Sequence, residues 1–586
     1  MRSGSLVFVC TAALLAAGGG RLAVLVETQG HALRQRAQQQ QTGRVPIPAQ
    51  RGDILDCKGR VLAGSVRRPS IYVDPTLVEN AQKAAGRVAP VLGLSADELE
   101  RAIRERAKRE FLWVKRLLSD AELDAFHALC REPGLEAFGV VDEPVRRYPC
   151  GRLAGHVLGF VGAEQHGLAG IEQAYDRHLA GADGFRTVTV DARRRSICSQ
   201  SDGYLAPADG ASVILTLDAH LQQRAEQRLR DAVEDFRADW GTAIVMEPHS
   251  GEVLAMAVMP DIDPAQPIPP GLNQREQALA FDRLRNRAIS DACEPGSIFK
   301  PFIAASALDA GLVHLDQVFA INGPTRAFGA RVIHDVHPYG TLAFSEVISK
   351  SSNIGMGMLG ARLGNARLHE FVRRFGFGDP TGIGLPGEHA GMVLDFSRWT
   401  SFSTQSVPIG QELAVTPLQV VTAFCVFCND GLLCRPRIVR GVIGPDGRVV
   451  QDRSRAIAVR RVLDPHVTRE FRLRALVEVV RAGTGKAAAI AEYQVFGKTG
   501  TAQIARPGNR GYEPGAYVSS FVCGGPASDP KAAVLVTLYH PRGAKYYGGT
   551  VAAPAAAEIL ADALEYMRVP PERTAEIDGP VVGLAW

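Results

Sequence analysis

Ser297 and Lys300 stand three residues apart in the stretch EPGSIFKPF, 294–302. At that spacing the two side chains share one face of a helix, so the lysine amine reaches the serine hydroxyl. A neutral lysine there takes the hydroxyl proton and makes the serine a nucleophile; burial beside other cations is the physical means of lowering its pKa. Pro295-Gly296 makes a sharp entry to that helix, whose N-terminus offers free amides and a positive field to an oxyanion. Taken alone the pattern is weak, because three-residue spacings recur on solvated helix faces.

Two further patches change the odds. SKSSNIGM, 349–356, supplies Ser351 and Asn353, a hydroxyl and an amide one residue apart in a tight segment. VFGKTGTAQ, 495–503, supplies Lys498, Thr499, Gly500 and Thr501. The Gly-Lys-Thr is not a phosphate loop, since Glu492 stands where a Walker loop needs its first glycine. Gly485-Lys486 fails likewise, with Val480 for the glycine and Ala487 for the magnesium-binding hydroxyl. The better reading is an edge strand facing the serine. Lys498 offers charge and Thr499 and Thr501 offer hydroxyls to a substrate carboxylate, while Gly500 lets substrate approach the backbone.

The elements that must position these residues can be read from the periodicity. ASVILTLD, 211–218, reads as a strand, and Leu221, Ala225, Leu229, Val233 and Phe236 recur at helical spacing behind Asp218 as N-cap. TAIVMEPHSGEVLAMAV, 242–258, reads as a hairpin turning at His249 to Gly251. KAAVLVTLY, 531–539, is another strand, and Pro554 opens a helix with Ile559, Leu560, Ala563, Leu564 and Met567 on one face. Strands at both ends of this block with helices between them predict an α+β fold, an antiparallel sheet covered by helices. Residues from Arg51 to about Gly210 read as short strands punctuated by glycine, with helical patches at 95–108 and 120–130. No nucleophile and base converge there, so a structural or docking module is expected.

At 586 residues the chain exceeds one ordinary core. Its 46% hydrophobic and 22% charged residues are those of folded protein, and a net charge of +4 without basic runs argues against a nucleic-acid partner. Residues 3–20 are uncharged and mostly apolar, and LAVLV resumes the run after Arg21. That length predicts one transmembrane anchor rather than the shorter core of a cleaved signal peptide. Arg2 precedes the segment and Arg21, Arg34 and Arg36 follow it, so the positive-inside count does not orient it. HALRQRAQQQQTGR, 31–44, reads as a juxtamembrane helix or linker.

Ten cysteines, Cys198 among them, lack the spacing of a disulfide scaffold or zinc site, and no metal or cofactor is expected. Cys425 and Cys428 form C-x-x-C inside an apolar helical run and are expected to be packed core thiols. Cys293, close to Ser297, is expected to be a packed thiol, and Glu412 is not assigned as a base. His334 and His337 flank Asp335 in VIHDVHPYG without a third ligand spaced for a metal, so a loop contact near the groove or a structural role is expected.

The three patches in this order are the signature set of penicillin-binding proteins and class A β-lactamases. The chain resembles the class B penicillin-binding proteins, membrane-anchored D,D-transpeptidases of bacterial cell-wall synthesis. The resemblance runs from Arg51 to about Pro570. RGDILDCKGRVLA, RRYPCGRLAGHVLGFVG and GLAGIEQAYDRHLAG are similar to the family's pedestal; FGFGDPTGIGLPGE, GQELAVTPLQ, YVSSFV and YYGG accompany the three catalytic patches. Cys57 departs from the pattern, which usually has arginine after that aspartate, and puts one pedestal contact in question. The division- and sporulation-specific branch is the most similar, on LAGSVRRPSIYVDP and IHDVHPYGTLAFSEVISKSSN.

The resemblance implies a penicillin-binding-protein/serine β-lactamase-like transpeptidase domain at 212–570 and a dimerisation-type pedestal at 27–211. An anchor at 1–26 precedes them and a tail at 571–586 follows. Ser297 is the implied nucleophile and Lys300 its base, Ser351 and Lys498 relay a proton to the leaving amine, and Asn353 orients substrate and Lys300. Thr499, Gly500 and Thr501 bind substrate, and the backbone amides of Ser297 and Thr501 form an oxyanion hole. Implied partners are D-Ala-D-Ala stem peptides, β-lactams, and a SEDS-type (shape, elongation, division and sporulation) glycosyltransferase with other divisome proteins. The implied location is the cytoplasmic membrane, single-pass with the N-terminus inside and the catalytic domain extracytoplasmic, periplasmic where an outer membrane exists. An elongation-specific transpeptidase, a D,D-carboxypeptidase and a β-lactamase share the motifs; from another class, so does a non-catalytic β-lactam-binding scaffold or sensor. Fate of the acyl-enzyme and intactness of the five polar residues discriminate among them.

Overall fold

A computed structural model describes residues 2–109, 111–190, 196–506, 508 and 511–572. The tail at 573–586 and the side chain of Cys198 lie outside the described residues. The described chain forms two compact units interleaved in sequence. One comprises residues up to Arg51, Val66–Val145 and Ala180–Gly210; the other comprises Gly52–Ser65, Arg146–Leu179 and everything from Ala211 on.

In the second unit a five-stranded antiparallel sheet runs in the order Glu252–Met259, Trp240–Glu247, Ala532–Tyr539, Tyr512–Gly525, Phe496–Ala505. Its strands Trp240–Glu247 and Ala532–Tyr539 are buried along almost their whole length because both faces are covered. Ala243 and Val245 pack toward the helices Ala219–Asp235 and Ala553–Tyr566, whereas Ile244 and Met246 pack into a second core. That is the two-residue alternation of a strand read against two cores. Leu221, Ala225, Leu229, Ile559, Leu560, Ala563 and Leu564, the helical stripes of the sequence, all lie in the first core. The second contains Phe299, Phe302, Ile303, Phe424 and Phe427, from the segments that carry Ser297 and the C-x-x-C run. Cys425 and Cys428 are each 2% exposed, packed thiols as expected.

The hairpin, the Ala532–Tyr539 strand and the Ala553–Tyr566 helix form as predicted, Met567 standing just past the last turn. The strand expected at 211–218 is shorter, Ser212–Leu215, and does not enter the five-stranded sheet. It pairs antiparallel with Val439–Ile443 and parallel with Ile54–Leu55, because Ile54 and Leu55 come from the segment that folds with this unit. Arg60 of that segment bridges Asp56 and Asp218. Cys57, the residue that departs from the family's pattern, lies 3.7 Å from Asp218 Oδ2.

The segment Arg146–Leu179 contributes a buried ion pair. Arg146 Nε donates to Glu172 Oε1 at 2.6 Å, with side chains 1% and 0% exposed, and Arg146 Nη1 donates to Gly52 O at 2.7 Å. Removing one partner strands the other charge in the core. Glu172→Ala is therefore expected to lower the unfolding free energy by about 3–5 kcal/mol. Urea titration checks this, and Arg146→Met/Glu172→Met, which removes both charges, should be less destabilised than Glu172→Ala.

In the other unit, helices Ala81–Leu92, Ala96–Glu105 and Asp120–Leu129 share a core with Ile71, Val73 and Leu112. Asn80, Ser95 and Ser119 are their N-caps, Ser119 in a capping box with Glu122. A three-stranded sheet has the order Thr42–Ile47, Gly184–Val190, Ser196–Leu205. The helix Arg2–Gln41 contains the apolar span Phe8–Thr28, of mean hydropathy 1.8 and unburied, long enough to cross a bilayer.

Candidate active site

Ser297 lies on a single 3-10 turn, Gly296–Phe299, and Lys300 opens the helix Lys300–Asp309 that continues it. Lys300 N donates to Ser297 O, closing the turn that gives the two side chains a common face. Gly296 has φ 56°, a value open to glycine, and its amide donates to Gly410 O at 3.0 Å. The sharp entry expected of Pro295-Gly296 is present. Ser297 is half-buried, whereas Lys300 is fully buried.

Lys300 Nζ donates to Ser351 O at 2.6 Å, Asn353 Oδ1 at 2.7 Å and Ser351 Oγ at 3.1 Å. Lys498 Nζ reaches the same hydroxyl, Ser351 Oγ, at 2.9 Å. Residues far apart in sequence thus converge on one oxygen. Ser351 sits in a break between the helices Phe344–Ser349 and Asn353–Arg374 with φ 59°, left-handed backbone that a serine adopts only when its surroundings impose it.

The expected edge strand is the outermost strand of the five-stranded sheet, Phe496–Ala505. It packs directly on the turn that carries Ser297: a Cβ added to Gly500 would lie 3.0 Å from Ile298 Cβ and 3.1 Å from Pro295 O. Glycine at 500 is what lets the strand backbone come this close to the residues around Ser297. Thr499 Oγ1 pairs with Thr484 Oγ1 at 2.7 Å, and Thr501 Oγ1 accepts from Gly548 N at 3.0 Å, so the YYGG segment braces the strand from outside.

Two lysines share this buried space, and both are pushed to lose their protons. Burial lowers Lys300 to about 7 against the opposing pull of Asp335. Lys498, fully buried, lies well below the usual lysine range, first through burial and then through repulsion from Lys300. A base ready near neutrality and an ammonium destabilised beside it are what acyl transfer from serine needs. The sequence alone would have Lys498 offer its charge to a substrate carboxylate; instead its amine is turned inward to Ser351 Oγ and, at 3.2 Å, to Thr499 O.

Cys293 is half-buried, its thiol raised to about 12 by burial, so it is no nucleophile. Glu412 accepts from Ser403 Oγ at 2.6 Å. His334 and His337 are both exposed, on the strand Arg331–Ala343. Among the described residues no group of three or more His, Cys, Asp or Glu is placed to hold a metal. Two residues at the site have no sequence signal of comparable strength. Thr484 lies between two glycines in a stretch that matched nothing, and Asp335, whose carboxylate meets the backbone after Ser351, had only its place between two histidines to mark it.

The family profile described as penicillin binding protein transpeptidase domain matches residues 241–561, and that of the penicillin-binding protein dimerisation domain matches 46–215. Stage V sporulation protein D of Bacillus subtilis is 33% identical over 559 residues, covering 94% of this chain and 84% of its own. Peptidoglycan D,D-transpeptidase FtsI of Escherichia coli is 30% identical over 537 residues, covering 90% and 85%. Penicillin binding protein 3 of Mycobacterium tuberculosis, solved in complex with aztreonam, superposes with a TM-score of 0.68 at 28% identity, covering 90% of this chain and 98% of that one. A dimerisation module followed by a transpeptidase domain is the arrangement of the class B penicillin-binding proteins, and the chain belongs to that family.

Proposed function

We propose that the chain is a membrane-anchored peptidoglycan D,D-transpeptidase that cross-links stem peptides through an acyl-enzyme on Ser297. The observation that carries this reading is one hydroxyl, Ser351 Oγ, held by two buried amines at 3.1 and 2.9 Å, one of them on the turn that presents Ser297. Relatives named peptidoglycan D,D-transpeptidase support the reaction class.

Lys300, neutral in part at pH 7, takes the proton of Ser297 Oγ as that oxygen attacks the penultimate D-Ala carbonyl. The amides of Ser297 and Thr501 receive the oxyanion, which the close packing of the edge strand on the turn favours. When the C–N bond breaks, Ser351 Oγ hands a proton to the departing D-Ala nitrogen and is resupplied from Lys498. The amine of a neighbouring stem peptide then attacks the ester; its proton passes through Ser351 Oγ to Lys498, which gave one up in the first step, and Lys300 returns its proton to Ser297 Oγ as the ester C–O bond breaks. Asn353 holds Lys300 through its Oδ1 and orients substrate, and Thr499, Gly500 and Thr501 line the strand along which the donor lies. β-Lactams acylate the same serine and remain.

The span Phe8–Thr28 anchors the chain in the cytoplasmic membrane with its N-terminus inside and the catalytic domain outside. Residues 27–211 act as the pedestal and 212–570 as the catalytic domain. The work is septal, beside a SEDS-type glycosyltransferase and other divisome proteins, a reading supported by similarity to a sporulation protein and to FtsI.

The test is incubation of the full chain in detergent with a D-Ala-D-Ala pentapeptide and an amine-bearing acceptor peptide, read by mass spectrometry. Free D-Ala with a peptide dimer is expected. D-Ala release with only the hydrolysed tetrapeptide would make the protein a carboxypeptidase, and no release from folded protein would leave a scaffold.

A further inference from the structure

Behind the second motif sits a carboxylate to which the mechanism above gives no role. Asp335 lies on the strand Arg331–Ala343 and is 9% exposed. Its Oδ2 accepts from Ser352 Oγ at 2.6 Å, and its Oδ1 accepts from Asn353 N at 2.5 Å and Ile354 N at 3.0 Å. The same strand takes a fourth bond, from Asn353 Nδ2 to His334 O at 2.9 Å. Asn353 is thereby held at its backbone and its amide nitrogen, which aims the remaining end, Oδ1, at Lys300 Nζ.

The contacts bear on Ser351 from one side only. On the other, Ser351 N donates to Ile348 O at 3.1 Å and Ser352 N to Val347 O at 2.9 Å, closing the preceding helix. Between these two anchorages Ser351 takes its φ of 59°, the conformation in which both its carbonyl and its hydroxyl meet Lys300. Left-handed backbone at a non-glycine residue persists only where its flanks are fixed. A carboxylate on the first amides of a helix is a strong fixture, since charge-assisted bonds and the helix dipole add.

We propose that Asp335 is a positioning residue of the acyl-transfer site: by binding Ser352, Asn353 and Ile354 it holds Ser351 and Asn353 in the arrangement that engages Lys300. The proposal rests on the functional reading above and deepens it. Asp335 also acts on Lys300 through its charge, favouring the protonated form. The other charged group facing Lys300 is Lys498 on the edge strand, and Glu346 on the preceding helix is engaged by Lys350 Nζ at 2.8 Å.

Asp335→Asn keeps the shape and one acceptor oxygen and removes the charge. In the detergent-solubilised full chain, the second-order rate of acylation by a fluorescent penicillin, followed from about pH 5 to pH 9, should fall by about 10- to 100-fold at its plateau. Its acid limb should move to lower pH, because the carboxylate that keeps the proton on Lys300 is gone. Ser352→Ala removes one contact and keeps the charge, so it should lose less rate and leave the limb in place. A plateau equal to the parent's in Asp335→Asn, or a uniform loss with an unmoved limb, overturns the proposal and leaves Asp335 a structural acid. A parent that takes up no penicillin overturns the functional reading itself, a different failure from parent and variant behaving alike.

Discussion

Ser297→Ala is expected to abolish covalent capture of penicillin, with acylation falling by about a millionfold, below what intact-mass or gel fluorescence detects. The size follows from what is lost. The rival groups beside it are unfit: Cys293 holds its proton up to about 12, and Ser351 Oγ is already engaged by two amines. A serine-to-alanine change on a half-buried turn conserves packing, so the variant should unfold within about 0.5 kcal/mol of the parent. An adduct of undiminished yield in Ser297→Ala would place the nucleophile elsewhere and remove the basis for the mechanism.

Lys300→Met should lower acylation by about 10³- to 10⁴-fold, the upper end of what one general base contributes. Methionine fills a similar volume in the fully buried site, so the loss reports the amine rather than a cavity. In the parent the rate should fall on the acid side with a midpoint set by Lys300 near 7, because only the unprotonated amine accepts the serine proton. In Lys300→Met that limb should vanish, leaving a low rate that no longer follows this titration.

Stability carries the same signature with its own sign. The folded-state value of about 7 lies below the ordinary 10.5, so between these two pH values the unfolded chain binds more protons at this residue. The parent therefore gains stability from Lys300 as pH rises through that window and loses it as pH falls toward 7. Lys300→Met should lack this part of the slope, and melting temperature measured against pH in both proteins checks it.

The sheet was legible where strands carry long apolar runs. Trp240–Glu247 and Ala532–Tyr539 are buried along almost their whole length, and the stripe Leu221, Ala225, Leu229 marks its helix because one face alone meets the core. Ser212–Leu215 misled because a four-residue run has the same local pattern in either sheet; its partners, Ile54–Leu55 and Val439–Ile443, lie far off in the chain. The boundary between the compact units was equally hidden. Gly52–Ser65 and Arg146–Leu179 belong to the second unit through pairings such as Arg60 with Asp218 and the Ala154 amide with Glu226.

By itself the sequence singled out the candidate reacting groups and determined the local geometry of one pair. Ser297 and Lys300 are joined by a single turn, and three residues of helical backbone fix their common face wherever the helix packs. The order of the three motifs identified the family in the same way, since it is a property of the chain alone. Only the tertiary structure decided that Lys300 and Lys498 would meet over one hydroxyl and that Asp335 would stand behind it. Those relations depend on two strands and a helix break from distant parts of the chain closing around a buried space. The lowered proton affinity of both lysines is a consequence of that burial, which no local spacing encodes.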